Sequence, residues 1–335
     1  MITNKHLTNL NKFAKGKSLP ILECCNIQSA YLTVTDLKIS YSIAHGWQVD
    51  NPVIVPTAEL VKIAKKYRID RIHSDGRKAH IETDAGTFSL GLSDPIHWPD
   101  IPAPATAQRM IIERDKIADL GPYISTDDLR PALMGVLFDQ DICATNGHIL
   151  KWRDNPQFED GYTPFIMPGD VLPLITADEY RHYYGGKYCT LQGDNETIHY
   201  ERIDQAYPQY RNVIPKDNNR LSKIVKKDAL KAIDAAKITA NSTSKNVELH
   251  INGSIHLKAY DVDLSKEYKS PSIGTALESP DDPGDVFKIG FNWGYLERAI
   301  KDGPDQSSVK MSTPNRAAIF NGDTLVMPVM LNSYD

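Results

Sequence analysis

Three stretches of this 335-residue chain follow one pattern, and that repetition limits what the chain can fold into more than any other feature. LTVTDLKI at 32–39, ICATNGHI at 142–149 and LKAYDVDL at 257–264 each alternate apolar residues and then place a hydroxyl residue before Asp or Asn. Thr35-Asp36, Thr145-Asn146 and Tyr260-Asp261 recur at offsets of 110 and 115 residues. Leu19-Pro20 and Arg130-Pro131, Val55-Pro56 and Met167-Pro168, and Trp98-Pro99 and Tyr207-Pro208 keep similar spacings. The length exceeds one ordinary domain, so three copies of one unit are expected, over 1–105, 106–216 and 217–335. IPAPATAQ around 105 and KDNNR at 216–220 fall where linkers would.

Each unit has the same predicted order of elements. In the first, a helical pattern covers 3–15, a hairpin-like pair of strands 20–45, a second helix 57–68, and strands 78–92 around the turn Asp84-Ala85-Gly86. Antiparallel sheets with helices on one face make an α+β design. Four helices carry a basic outer face opposite their apolar stripe. Leu7, Leu10 and Ala14 oppose Lys5 and Lys12; Leu60, Ile63, Ala64 and Tyr67 oppose Lys62, Lys65 and Lys66. In the third unit Ala229, Ile233 and Ala236 oppose Lys227 and Lys231, and Leu296 and Ile300 oppose Arg298.

Charge is distributed unevenly. Lys and Arg number 12 against 10 Asp and Glu over 1–105, 10 against 17 over 106–215, and 16 against 16 over 216–335. A net charge of −5 argues against coating of nucleic acid by the whole surface. Lysines on corresponding helices instead fit one positive face turned to a phosphate backbone, with no motif that reads bases. Hydrophobic residues at 41% and charged residues at 24% fit a globular protein. No apolar run reaches the ~18 residues a membrane span needs, and the N-terminus lacks a signal-peptide pattern, so a cytoplasmic protein without a membrane partner is expected. Cys24, Cys25, Cys143 and Cys189 form no C-x-x-C pair, and neither a disulfide framework nor a metal site is expected.

Enzyme signatures fail on inspection. Lys15-Gly16-Lys17-Ser18 mimics the end of a phosphate-binding loop, but Asn11 stands where its first glycine belongs. His148 lacks a partner at metal-ligand spacing, and the run from Ser279 to Asp285 lacks the terminal Glu of a calcium loop. No catalytic residue and no cofactor are expected.

The landmarks resemble the bacterial DNA polymerase III beta subunit, the sliding clamp. SLPILECCNIQ with LTVTDLKIS resembles the family's LPIL segment and following T-D-L strand, and WPDIP at 98–102 its F-P-D-x-P. STDDLRPALMGVLF at 125–138 with ATNGHIL at 144–150 is similar to R-x-x-L-x-G-V and A-T-D-G-H-R-L. YPQYRNVIP at 207–215, FNWGYLERAI at 291–300 and LVMPVML at 325–331 match F-P-D-Y-x-x-V-I-P, the F-N-x-x-Y-L helix and the C-terminal Y-x-x-M-P-x-R-L. The matches run in order over essentially the whole chain.

The resemblance implies the DNA clamp fold, with three domains per chain and two chains closing head to tail into a homodimeric ring. Sheets would lie outside and helices would line a central hole. It implies duplex DNA bound without sequence specificity, Lys5, Lys12, Lys62, Lys65, Lys66, Lys227, Lys231 and Arg298 facing it. The DNA polymerase III alpha subunit, clamp loader and repair proteins would dock by short peptides in a hydrophobic groove. Its wall would comprise Leu133, Thr145, Gly147, His148, Leu150, Pro208, Val213, Leu325, Val326, Met327, Pro328, Val329 and Met330. Asn146, Ile149 and Asn212 stand where the family has Asp, Arg and Arg, and the tail has Met330 without the usual arginine. These departures point to less reliance on acidic or glutamine-bearing peptide ends and more on apolar contacts. Two other readings stay open: a clamp-like peptide-binding scaffold that does not encircle DNA, and an enzyme using Asp127, Asp128 and His148 in a cleft between domains 2 and 3.

Overall fold

The computed structural model describes residues 2–14, 19–101, 108–159, 162–261, 264–278, 280 and 285–331. Lys15 to Ser18, Asp281 to Gly284 and most of the segment around 105 lie outside them. Backbone proximity divides the chain into two compact units. One holds residues 1–118, 137–140 and 155–205, the other 119–136, 141–154 and 206–335. The middle third of the sequence is therefore shared between them, and the sheets show why.

In the first unit an eight-stranded sheet runs in the order Val53–Pro56, Cys24–Ile27, Tyr31–Thr35, Ile39–Ala44, Glu196–Glu201, Tyr188–Gln192, Glu179–Gly185, Gln108–Glu113. At its centre a strand of the first repeat meets one of the second, antiparallel, with Ile39 opposite Tyr200 and Ile43 opposite Glu196. A separate four-stranded sheet holds Gln48–Val49, Ile69–Ser74, Lys78–Thr83 and Gly86–Gly91. The second unit repeats the same device: Ile149–Asp154 pairs with Thr324–Val326, Ile149 opposite Val326 and Lys151 opposite Thr324. From there its sheet continues through Ala318–Phe320, Gln306–Met311, Arg220–Val225, Lys266–Glu278, Ser254–Asp261, Asn246–Asn252 and Phe287–Asn292. The second repeat thus gives its last strand to one sheet and a hairpin strand to the other.

The repeated Thr-Asp pattern is turn chemistry. Thr35 Oγ1 donates to the Ile39 carbonyl at 3.1 Å and accepts the Leu37 amide at 3.1 Å, while Asp36 Oδ1 accepts the amides of Lys38 and Ile39 at 3.1 and 2.8 Å. Thr145 and Asn146 make the same four bonds to Ile149, Gly147 and His148 at 2.8–3.1 Å. Only an oxygen acceptor is needed at the second position, so Asn146 does the work of the family's Asp. In the third copy Asp261 Oδ1 accepts the Leu264 amide at 3.3 Å. The prolines also recur for a reason. Pro20 and Pro131 open 3₁₀ turns at Pro20–Glu23 and Pro131–Met134, where a fixed φ helps and a missing N–H costs nothing.

Four α-helices form among the described residues: α1 Asn4–Asn11, α2 Thr57–Lys66, α3 Lys226–Thr239 and α4 Trp293–Lys301. The expectation of two α-helices in every repeat fails in the second, whose counterparts are the 3₁₀ turns Arg114–Lys116, Gly121–Tyr123 and Gly169–Leu174. Pro122 and Pro173 remove the amides that longer helices would need. The first helix is also shorter than its apolar pattern. Thr3 and His6 cap it reciprocally at the N-terminus. The described cysteines are free and buried, Cys24 included, because its strand is covered on both faces.

The two equivalent turns make opposite demands on their left-handed residue. Leu37 sits at φ 79°, and Gly147 at φ 91° with room for a Cβ only 3.1 Å from Arg130 Nη1. Urea titration of Leu37→Gly should give stability unchanged or raised by up to about 1 kcal/mol, because relieved strain offsets the added chain entropy. Gly147→Leu should lose about 1–2 kcal/mol.

Candidate peptide groove and cationic helix faces

The groove residues named from sequence all lie in the second unit. They sort into a buried support and an accessible wall. Leu133, Thr145, Leu150, Leu325 and Val326 are buried, and Leu150 stands opposite Leu325 in the sheet joint. Their part is to fix the strand on which the wall is built. Gly147 and His148 are exposed at the turn, Pro208 and Val213 are exposed beside and on the 3₁₀ turn Tyr210–Val213, and Met327, Pro328 and Val329 are half-buried. Met330 is 82% exposed, which makes it the most available apolar side chain of the wall.

Backbone bonds hold this last segment in place. The Met327 amide donates to the His148 carbonyl at 2.8 Å, and the Val329 amide to the Gly290 carbonyl at 2.9 Å. The His148 ring stacks on Tyr295 of α4, centroids 5.4 Å apart and planes 11° from parallel. Tyr295 was not picked out from sequence. Its signal was there, since FNWGYLERAI was recognised, but a helix pattern does not say which residue meets a distant turn. Val213 and Met327 come together as walls of a cavity of about 660 Å³, completed by Arg211, Asn212, Ile214 to Asp217 and Asn315 to Ala317. Asn315, Arg316 and Ala317 were also missed, having no motif.

Charges below the groove are closely paired. Arg211 donates to Asp141 Oδ2 from Nε at 3.0 Å and Nη2 at 2.7 Å, and Tyr210 donates to the same oxygen at 2.5 Å. Lys151, almost fully buried, lies 3.4 Å from Asp323 and 3.5 Å from Asp119, with its ammonium 5.6 Å from the Tyr123 ring centre. Burial of that cation is tolerable only because two carboxylates and an aromatic face surround it.

Asp127, Asp128 and His148 do not form an acid–base arrangement, since no hydrogen bond or ion pair joins any two of them. Asp127 accepts from Arg130 Nε at 2.8 Å and the Leu129 amide at 3.0 Å, and Arg130 holds its carboxyl below the usual range.

The cationic residues divide by what their side chains already do. Lys5 donates to the Ile175 carbonyl at 2.8 Å, and Lys12 to the Pro173 carbonyl at 3.2 Å and to Asn9 at 3.0 Å. Both therefore satisfy carbonyls at the end of the 3₁₀ turn Gly169–Leu174, and burial, then Lys5, lowers the Lys12 pKa. Lys62 pairs with Glu59 at 2.8 Å, and Arg298 with Asp302 at 3.2 Å. Lys65 and Lys66 on α2, and Lys227 and Lys231 on α3, are exposed without an ion pair to a described residue.

No protein-family model matches the chain. Beta sliding clamps of two Caulobacter vibrioides strains are each 23% identical to it over 296 residues, 79% of this chain and 77% of the relative. In structure, the DNA polymerase III subunit beta of Pseudomonas aeruginosa superposes with a TM-score of 0.84 at 21% identity, covering 98% of this chain and 97% of that one. A sliding clamp from Bartonella birtlesii bound to griselimycin gives the same values, and the beta subunit from Thermotoga maritima gives 0.83 at 16% identity over 98% and 97%. With this fold over nearly all of its length and sequence similarity over most of it, the chain has the fold of the beta sliding clamps and is similar to them in sequence.

Proposed function

We propose that this protein is a DNA sliding clamp: two copies close head to tail into a ring around duplex DNA and tether a polymerase and other partners through the groove. In this reading it acts by holding and carries out no reaction, and the alpha subunit and clamp loader are the expected partners. Its repeats are three domains over 1–105, 106–216 and 217–335. No described helix is long and apolar enough to cross a membrane, and a cytoplasmic site of action fits a replication protein.

One observation carries the ring: a joint made twice within the chain lacks its third copy. Val34, Ala144 and Ala259 are spaced by the repeat offsets, and their cross-strand partners are Tyr41, Lys151 and Tyr268. Tyr41 and Lys151 are buried and reach the carboxylates of Glu196 and Asp323 across their joints. Tyr268 is half-buried and, among the described residues, Lys266 to Ser270 pairs with a strand on one side alone. Gly86–Gly91 is likewise an edge, paired only with Lys78–Thr83. Adding Gly86–Gly91 of one copy to Lys266–Ser270 of another repeats the joint, and two such additions close six repeats.

Three outcomes test this. Wild-type protein should sediment as a dimer, whereas Tyr268→Glu should sediment as a monomer with unchanged far-UV circular dichroism. Replacing Lys65, Lys66, Lys227 and Lys231 together by Glu should leave the melting temperature within a few degrees and the dimer intact but abolish retention on nicked circular DNA. Lys5→Met with Lys12→Met should instead lower the melting temperature, because the Ile175 and Pro173 carbonyls lose their donors. For the groove, two or three buried apolar side chains at about 1.5–3 kcal/mol each, less association costs, give roughly micromolar affinity for a polymerase-derived peptide. Val213→Ala and Met327→Ala should each weaken that binding several-fold. Leu150→Ala is the wrong probe, since it should cost about 2–5 kcal/mol of stability as a core truncation.

A further inference from the structure

The cavity beside Met327 is lined by charge as well as by apolar side chains. Its apolar lining comes from Val213, Ile214, Pro215, Ala317 and Met327. Its lining holds three cations, Arg211, Lys216 and Arg316, against one carboxylate, Asp217. Arg211 is committed to Asp141. Arg316 Nη1 reaches both carboxylate oxygens of Asp217 at 2.7 Å, and both side chains are more than half exposed. Lys216 is exposed with no ion pair to a described residue. Asn212, standing where the family has arginine, lines the same cavity as Arg316.

We propose that this cavity selects partner peptides carrying an acidic side chain next to their apolar anchor, bound by Arg316 and Lys216 together. The proposal rests on the groove reading above and reverses the expectation that acidic peptide ends matter less here. An exposed Arg–Asp pair holds its partners weakly, so an incoming carboxylate exchanges for Asp217 at small cost. It also gains a guanidinium fork, with the Lys216 ammonium lining the same cavity, and charge-assisted bonds of a kind that neutral amides do not match. The apolar lining supplies most of the affinity, and the charged residues supply the choice between peptides.

The test is a fluorescence-anisotropy titration of the dimeric protein with two blocked heptapeptides. Each has two adjacent leucines at its centre; one carries aspartate at both ends, the other asparagine. The aspartate peptide should bind five- to tenfold tighter at low salt. That preference should fall below twofold in 0.5 M NaCl and in the Lys216→Ala/Arg316→Ala variant, whose melting temperature should match wild type because both residues are exposed. Asp217→Asn, which frees Arg316, should tighten binding of the aspartate peptide, whereas a merely structural Arg316–Asp217 pair would leave it unchanged or weaker. Equal affinity for the two peptides, with both weakened by Met327→Ala, overturns charge selection and leaves the groove standing. Affinities unchanged by Met327→Ala, or no binding of either peptide, overturn the groove and this proposal with it.

Discussion

The antiparallel strand joint between successive repeats is the constraint on which the rest of the structure depends, and each joint is built over a buried charge. At the first, Glu196 accepts from Tyr41 at 2.6 Å, from Tyr180, and from the amides of Thr176 and Ala177 at 2.9 and 3.1 Å. His6 of α1 lies 3.6 Å away, its pKa lowered by burial more than Glu196 raises it. The carboxylate is therefore satisfied mainly by hydrogen bonds. At the second joint the sign reverses, and a buried ammonium, Lys151, meets two acids. A buried charge left without its partner is costly, so each joint depends on the residues that satisfy its own charge. The acid across each joint is met by a hydroxyl, Tyr41, at the first and by an ammonium, Lys151, at the equivalent position of the second, so the two joints differ chemically.

How much of this was legible in the sequence depended on the range of the interaction concerned. Thr35-Asp36 and Thr145-Asn146 were found because their hydrogen bonds close within five residues, so the chemistry sits inside the motif. Pro20 and Pro131 were found because proline acts on its own backbone. The loss of α-helices in the second repeat was equally local, written in Gly121-Pro122 and Pro173, but the threefold pattern suggested uniformity and outweighed it. The groove divides along the same line. Its residues came from matched motifs, yet alternation could not tell buried Leu150 and Leu325 from accessible Val213 and Met330, because that depends on what the strand joint covers. Arg316 carries no motif, and the FNWGYLERAI motif that contains Tyr295 does not reveal its contact with His148, since each meets its partner only through tertiary structure.

The cationic faces show why a charge count underdetermines a surface. Lys5 and Lys12 follow the helical period of α1 as closely as Lys65 and Lys66 follow that of α2, yet the first pair is occupied with carbonyls. A lysine that completes the hydrogen bonding of a neighbouring turn holds its ammonium in a fixed place and still presents positive charge. In the proposed ring, the lysines without an ion pair to a described residue would be free to exchange between phosphates. A clamp has use for both, because retention needs charge whereas sliding needs contacts that exchange.

The sheet edges give an independent reason to expect a second copy. A free strand edge invites aggregation unless it is short, charged or covered. Gln48–Val49 is short. Gln108–Glu113 carries Arg109 and Glu113. Phe287–Asn292 carries Lys288 and meets Val329. Val53–Pro56 ends in proline, and the Ser93 amide donates to its Ile54 carbonyl. Gly86–Gly91, GTFSLG, has none of these protections across six residues. An unguarded edge of that length is a liability in a monomer and an asset in a ring. Its lack of charge is what a strand needs if the open side is to be filled by Lys266–Ser270, whose own lysines and glutamate supply the polarity for the pair.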